Sequence, residues 1–189
     1  MATTTFEGQR TDVGGWIRYG ISGGIVAGIV FAMFEMVMAA LLNGSGAFFM
    51  PLRMIGAIGL GKTALDPATS LVTAGGAGLV IHMVLAMMYG VAIAAVLGLI
   101  PALSSTQTSV LIVTSLAGLA LWVVNFYVLA GIFGWSWFPD GTSAAVQFVA
   151  HTFFFGTVLG LVLDRLYLRR RPQPRSAPGP AVSANGSVR

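Results

Sequence analysis

The chain has 189 residues, of which 56% are hydrophobic and 8% are charged, and its mean hydropathy is +0.86. Because soluble domains carry about 25% charged residues, this composition excludes an ordinary soluble protein and predicts an integral membrane protein. The formal net charge is +4 and cysteine is absent, so disulfides, thiolate metal ligands and a cysteine nucleophile are excluded.

Four long apolar segments follow one another along the chain, at about residues 16–42, 71–100, 108–133 and 143–166. Each reaches the ~20 residues that a helix needs to cross ~30 Å of hydrocarbon. The segments are continuously apolar, whereas the strands of a transmembrane barrel alternate in polarity over ~10 residues. The sequence therefore predicts an all-α, polytopic membrane protein with a four-helix transmembrane bundle over residues 16–166, and we number its helices 1 to 4.

The connection between helices 1 and 2, residues 43–70, contains a further apolar stretch at residues 48–60. This stretch is too short to span a bilayer, which predicts an interfacial or re-entrant segment in an outer loop. Arg53 within it has two interpretations, since its side chain could extend to the interface or approach Glu35 as a counter-ion. An interfacial aromatic belt is predicted from three residues between helices 3 and 4: Trp135, Trp137 and Phe138.

Basic residues are unevenly distributed between the two ends of the predicted bundle. Arg10 and Arg18 lie at the start of helix 1 and a basic run, residues 169–171, follows helix 4, whereas only Arg53 and Lys62 lie in the outer loops. By the positive-inside rule, this asymmetry predicts a multi-pass protein of the bacterial inner membrane with both termini in the cytoplasm.

The two ends of the chain are predicted to lie outside the bundle. Residues 1–15 form a cytoplasmic N-terminal segment, and residues 167–189 form a basic cytoplasmic tail, rich in Pro, Ser, Ala and Gly, that is predicted to be disordered. Each basic residue near an anionic leaflet contributes about 1 kcal/mol to membrane binding. The predicted partners are therefore the lipid bilayer, with anionic lipid at the basic C-terminal end, and other membrane subunits, as a homo-oligomer or within a larger complex. No nucleic acid is expected.

Each predicted helix carries one residue that is costly in lipid: Glu35, His82, Asn125 and His151. Ionisable groups inside a membrane are by default a functional hypothesis. With ~1.5 Å of rise per residue from the helix midpoints, all four lie about 6 Å from the midplane and are displaced toward the outer leaflet. They are predicted to form one buried polar layer, which Gln147 extends by one turn before His151.

The spacing of these residues indicates an internal repeat. A glycine precedes the polar residue by seven positions in both odd-numbered helices, as Gly28 and Glu35 and as Gly118 and Asn125. Both even-numbered helices carry a histidine in their first half. The pattern predicts two parallel two-helix repeats related by an axis along the membrane normal. Small residues that would allow close helix packing occur on the same predicted faces: Gly20, Gly24 and Gly28 in helix 1 and Gly75, Gly78 and Ala86 in helix 2.

The polar layer has two chemical interpretations. A buried carboxyl group favours its neutral form and a neighbouring imidazolium favours the carboxylate, so Glu35 and a histidine could form a proton or cation site in transport or in a redox complex. Glu35, His82 and His151 also supply a donor set for a transition metal, and one histidine on each of two helices is what bis-imidazole haem ligation requires. Absence of a cofactor remains the first expectation.

The alternative is a structural role. Hydrogen bonds between membrane helices contribute about 0.6 to 2 kcal/mol, which suffices to fix helix packing in an accessory subunit, and Asn125 fits this role most simply. An enzyme is the weakest hypothesis, because no nucleophile, phosphate loop or substrate motif stands out. The sequence leaves the functional and structural interpretations open.

Several strings in the chain are similar to those of small, uncharacterised four-helix bacterial inner-membrane proteins: GGIVAGIVFAMFEMVMAALL, PLRMIGAIGLG, IHMVLAMMYG, LWVVNFYVLAG and FVAHTFFFGTVLG. The resemblance runs from about Gly20 to Asp164. It implies a four-helix fold and an inner-membrane location, and it implies no activity, so no functional residue follows from it.

Overall fold

The computed structural model of the chain describes residues 13–168, which form helices and connecting turns without a β-strand. Four of these helices are long and apolar enough to cross a membrane: helix 1 (Val13–Asn43), helix 2 (Leu71–Leu99), helix 3 (Gln107–Phe133) and helix 4 (Ala144–Leu166). The predicted all-α class and the number of long apolar helices are therefore confirmed. Most of the predicted N-terminal segment and the basic tail lies outside the described residues.

Helices 2 and 3 begin where a hydroxyl group can cap a free backbone N–H. Ser70 accepts a hydrogen bond from the backbone of Thr73, and Thr106 accepts one from the backbone of Ser109, both at 3.1 Å. Short helical turns fill the connections between the long helices: Ser45–Ala47, Lys62–Leu65, Pro101–Ser104 and Trp137–Asp140.

Helices 3 and 4 contain segments of π-helix, in which the backbone bonds from i to i+5. Helix 3 is α-helical over Gln107–Val123 and Ala130–Phe133 and π-helical over Val124–Leu129. Helix 4 has α-helical parts, Ala144–Val149 and Val158–Leu163, and π-helical parts, Ala150–Thr157 and Asp164–Leu168. Asn125 and His151 therefore both lie in wide helical turns.

The bundle consists of two helix pairs that meet at glycines. Helix 1 packs against helix 2 so closely that a Cβ added at Gly90 would collide with the carbonyl oxygen of Gly20. Helix 3 packs in the same way against helix 4, since a Cβ at Gly118 would collide with the carbonyl oxygen of His151. Helix 1 also contacts helix 4 and joins the two pairs.

The loop between helices 1 and 2 contains a further helix, Met50–Leu60, which we call the loop helix. It packs against the first half of helix 2, where a Cβ at Gly78 would collide with the carbonyl oxygen of Leu52. From the other side, Trp137 Nε1 donates a hydrogen bond to Met54 O at 3.0 Å. The loop helix thus contacts both helix 2 and the connection between helices 3 and 4. We call the end of the bundle at which it lies the loop-helix end.

Two aromatic residues of that connection also pack against the loop helix or its neighbours, and the interfacial aromatic belt stays a prediction. Phe138 is buried against Met54 and Phe126, and Trp137 is bonded to the loop helix. These contacts with Met54 attach the connection between helices 3 and 4 to the loop helix.

Apolar side chains fill the opposite half of the bundle. Val110 and Leu159 are completely buried there, in one cluster with Trp16 and Leu97. The half near the loop helix is less completely filled and contains a cavity.

The glycine contact of helices 1 and 2 can be tested with a pair of alanine substitutions. We expect Gly90→Ala to lower the free energy of unfolding by about 1–3 kcal/mol, because the new methyl group overlaps backbone atoms of helix 1. Gly76→Ala in the same helix places its methyl group in open space and should be neutral or stabilising by up to about 1 kcal/mol, since alanine is the better helix former. Thermal unfolding in mild detergent distinguishes them, and equal midpoints for both variants would refute the close contact.

Candidate functional site

A cavity of about 730 Å³ lies between the loop helix and the centre of the bundle. All four long helices and the loop helix contribute to its walls. Its volume falls within the ~300–1,000 Å³ that is typical of small-molecule sites. The wall includes exposed residues of the loop-helix end, among them Asn43, Asp140 and Ser143, so the cavity extends from the interior to that end of the molecule.

The residues that line the cavity include Glu35, His82, Asn125 and His151. Glu35 is 7% exposed and each histidine is 8% exposed, whereas Asn125 is half-buried. Four residues that are far apart in the sequence are therefore brought to one internal surface. Three of them are ionisable side chains shielded from solvent.

Glu35 is held by Gln147. The amide Nε2 of Gln147 donates a hydrogen bond to Glu35 Oε2 at 2.7 Å, and both side chains are buried. The other carboxyl oxygen, Oε1, is buried and has no hydrogen-bond partner among the described residues. A buried polar atom without a partner costs about 1–3 kcal/mol, so Oε1 is an acceptor at which a donor would be stabilising.

His151 continues this contact toward the centre of the bundle. Its Nδ1 lies 3.0 Å from the backbone carbonyl oxygen of Gln147. A carbonyl oxygen only accepts, so Nδ1 carries the hydrogen of the neutral ring and Nε2 is left as the acceptor. Gln147 thus contacts Glu35 of helix 1 through its side chain and His151 of its own helix through its backbone.

His82 bonds to helix 1. Its Nε2 lies 2.8 Å from the carbonyl oxygen of Gly28, and by the same argument Nε2 carries the hydrogen and Nδ1 remains the acceptor. The ring of Phe31 stacks on His82 with centroids 5.3 Å apart and forms a T-shaped pair with His151 with centroids 4.8 Å apart. An aromatic ring therefore contacts both imidazoles.

Asn125 forms a separate hydrogen bond, because Tyr89 Oη donates to its Oδ1 at 2.9 Å. This bond joins helices 2 and 3. Tyr89 also lines the cavity and had not been selected from the sequence. The available signal was its position seven residues after His82, which places both side chains on one helix face.

Arg53 does not serve Glu35, which corrects one of its two predicted roles. Its guanidinium donates to three loop carbonyl oxygens at 2.8 to 3.1 Å, those of Ala64, Asp66 and Thr69. Arg53 is not among the residues that line the cavity. The loop before helix 2 folds around this side chain because its backbone oxygens need donors. The guanidinium group of Arg53 is therefore bound by this loop.

The described residues offer no ready metal ligand set. Between residues 13 and 168, no group of three or more His, Asp or Glu side chains is arranged to hold a metal ion. The predicted set of Glu35, His82 and His151 is not such a group, and the ring of Phe31 lies against both imidazoles. Bis-imidazole haem ligation is also disfavoured, since Nε2 of His82 is engaged by Gly28.

The bond between Glu35 and Gln147 can be measured with a double-mutant cycle. Replacing either residue by Met removes the hydrogen bond, and Gln147→Met alone also leaves both carboxyl oxygens unpaired. We expect a coupling energy of about 0.6–1.7 kcal/mol, the range found for hydrogen bonds between membrane helices. Unfolding of the four proteins in denaturant provides the values, and strictly additive effects would show that the two side chains do not interact.

Comparison with known proteins adds no family assignment to this geometry. No protein family, curated protein or solved structure was found to match the chain. The resemblance to small four-helix inner-membrane proteins stays a prediction. The function must therefore be argued from the side chains that line the cavity.

Proposed function

We propose that the protein is a multi-pass protein of the bacterial inner membrane in which Glu35 binds a proton or a cation, in transport or within a redox complex. The observation that supports this most directly is the buried carboxyl group of Glu35, which lines a large cavity and has one oxygen unpaired. His82 and His151, which line the same cavity, provide further groups able to carry a proton.

The outer surface of the bundle supports insertion into a membrane. Each long helix exposes large apolar side chains, for example Ile29, Val80, Leu116 and Phe153, at 48–64% of their surface. In water such a surface would be a strong aggregation hazard, whereas lipid is its natural solvent. The backbone groups of the spans are satisfied within helices, as a bilayer requires.

The arrangement of the histidines supports the proposed two-helix repeat. In the first pair, His82 bonds to the backbone of Gly28, and in the second pair the backbone of His151 packs directly against Gly118. Each pair thus has a glycine of its odd-numbered helix beside a histidine of its even-numbered helix. Two such units in parallel would place both histidines toward one cavity.

The proposed orientation places both termini in the cytoplasm and the loop-helix end outside. Arg18 and Arg165 lie at the opposite end of the bundle, and the run at residues 169–171 follows in the sequence. Anionic lipid is the proposed partner of this basic end. The exposed apolar faces also suit assembly as a homo-oligomer or with other membrane subunits.

A structural or accessory role is the second candidate, and the bond between Tyr89 and Asn125 favours it. That bond pairs two polar side chains between helices 2 and 3, as a residue that fixes helix packing would. Glu35 differs because it lines the cavity and its Oε1 is without a hydrogen-bond partner among the described residues. Asn125 is therefore assigned to packing and Glu35 to binding.

Infrared spectroscopy of the reconstituted protein tests the protonation of Glu35. We expect the C=O band of a protonated carboxyl group that changes with pH within the range in which the protein stays folded, and that is absent in Glu35→Gln. Gln147→Met should shift the frequency of this band, because it removes the donor at Oε2. Asp66→Asn, which removes a carboxyl group outside the cavity, should leave the band in place. Identical spectra for the wild type and Glu35→Gln at every pH would sink the proposal.

Single cysteines test the orientation, since the chain has none of its own. A membrane-impermeant maleimide added to intact spheroplasts should label Ser143→Cys, at the loop-helix end. Ser105→Cys, at the opposite end, should react only after lysis. The reverse pattern would place the termini outside.

A further inference from the structure

We propose that the cavity binds an organic cation with a bulky apolar body, such as an aryl or alkyl amine, whose ammonium group pairs with Glu35. This inference rests on the proposed function and names the class of its ligand. It follows from the size of the cavity, the chemistry of its walls and the distribution of hydrogen-bond donors and acceptors around Glu35.

The size of the cavity indicates a ligand with many atoms. One water occupies ~30 Å³ of liquid volume, so a space of about 730 Å³ far exceeds what a proton or a bare metal cation requires. Sites of this size hold drug-sized organic molecules and are mostly apolar, with a few polar groups that fix orientation.

The walls suit an apolar and partly aromatic body. Aromatic rings line the cavity on several sides: Phe31, Phe126, Trp135, Phe138 and Phe155. Most other lining residues are Leu, Ile, Met or Ala. The faces of such rings attract a cation, and more strongly where water is displaced. The same aromatic surface can therefore contact both the apolar body and the positive charge of the ligand.

The charges of the walls favour a cation over an anion. The acidic residues that line the cavity are Glu35 in the interior and Asp140 near the loop-helix end, and no Lys or Arg of the described chain lines it. Acidic side chains in a cleft with low-dielectric walls raise the local concentration of positive ligands. Asp140 is exposed, so it lies where a cation would arrive.

The hydrogen bonds around Glu35 favour a ligand that donates. The hydrogens on His82 Nε2, His151 Nδ1 and Tyr89 Oη are all directed to protein acceptors. Glu35 Oε1 is an unpaired acceptor. An ammonium group supplies N–H donors and a positive charge together, whereas a quinone or a carboxylate offers only acceptors and would leave Glu35 Oε1 without a donor.

Three matched probes test this proposal: diphenylbutylamine, diphenylbutanol and diphenylbutyrate, which share one apolar body and differ in the charge of the head group. Binding is measured by calorimetry with the full chain in nanodiscs of phosphatidylcholine, and empty nanodiscs correct for partition into lipid. We expect the amine to bind the wild type at least about tenfold more tightly than the alcohol, a difference of about 1.4 kcal/mol, and the carboxylate to bind weakest.

The variants separate charge from shape. Glu35→Gln should lose the preference for the amine and bind the alcohol within about threefold of the wild type, a change of under 1 kcal/mol. Asp66→Asn removes one negative charge outside the cavity and should retain the preference. If Glu35→Gln fails to fold, the wild type still decides, because the amine and not the alcohol should change the infrared band of Glu35.

The outcomes distinguish the two proposals. Equal affinities for amine and alcohol in the wild type would overturn the ligand class, and a pH-dependent band of Glu35 would leave the proton site standing. Amine preference that survives in Glu35→Gln would also overturn the ligand class, since another group would then bind the charge. No probe binding together with no titration of Glu35 would overturn both.

Discussion

The direct backbone contact within each helix pair is the constraint on which the rest of the structure depends. At Gly90 against Gly20, and at Gly118 against His151, the two main chains meet without an intervening side chain. Lipid offers no hydrophobic driving force for helix association, so close packing of this kind is a principal source of stability in membranes. The two tight pairs leave the remaining volume between them rather than within them.

That remaining volume is divided unequally along the bundle. Large side chains such as Trp16 and Leu159 fill the half opposite the loop helix. In the other half the loop helix occupies part of the space, and Trp137 holds the loop helix through a hydrogen bond to the carbonyl oxygen of Met54. The loop helix therefore lies between the two helix pairs without filling the space that separates them. The polar residues lie at the boundary between the packed and the open half, where an ionisable group is buried and still faces a cavity that extends to one end of the bundle.

The long helices could be predicted from the sequence because lipid permits few alternatives. A continuous apolar run of sufficient length has to be a helix in a bilayer, and the four bounds agree with the structure within a few residues. Helical rise also places Glu35, His82, Asn125 and His151 at similar depths, and all of them line one cavity. Both properties depend on distance along a single helix.

Properties that depend on neighbouring helices could not be predicted in this way. Gly78 has the spacing of a face that packs on another span, whereas it accommodates the loop helix. Arg53 has a charge that Glu35 could use, whereas three loop carbonyl oxygens bind it. Such choices among partners are decided by three-dimensional packing, and the spacing of residues in one helix contains little information about them.

The π-helical segment of helix 4 has a consequence for how the site tolerates change. A wide turn accommodates an additional residue without breaking the helix. The side chains before Ala150–Thr157 are therefore rotated about the helix axis relative to their positions in a regular α-helix that continued from the part after it. The segment lets Leu159 face the packed half while Gln147 faces the cavity. Deleting one residue there would rotate Gln147 relative to Leu159 and so displace the Gln147 amide from Glu35. Helix 4 thus consists of two α-helical parts joined by a wide turn, and the two parts face different surroundings.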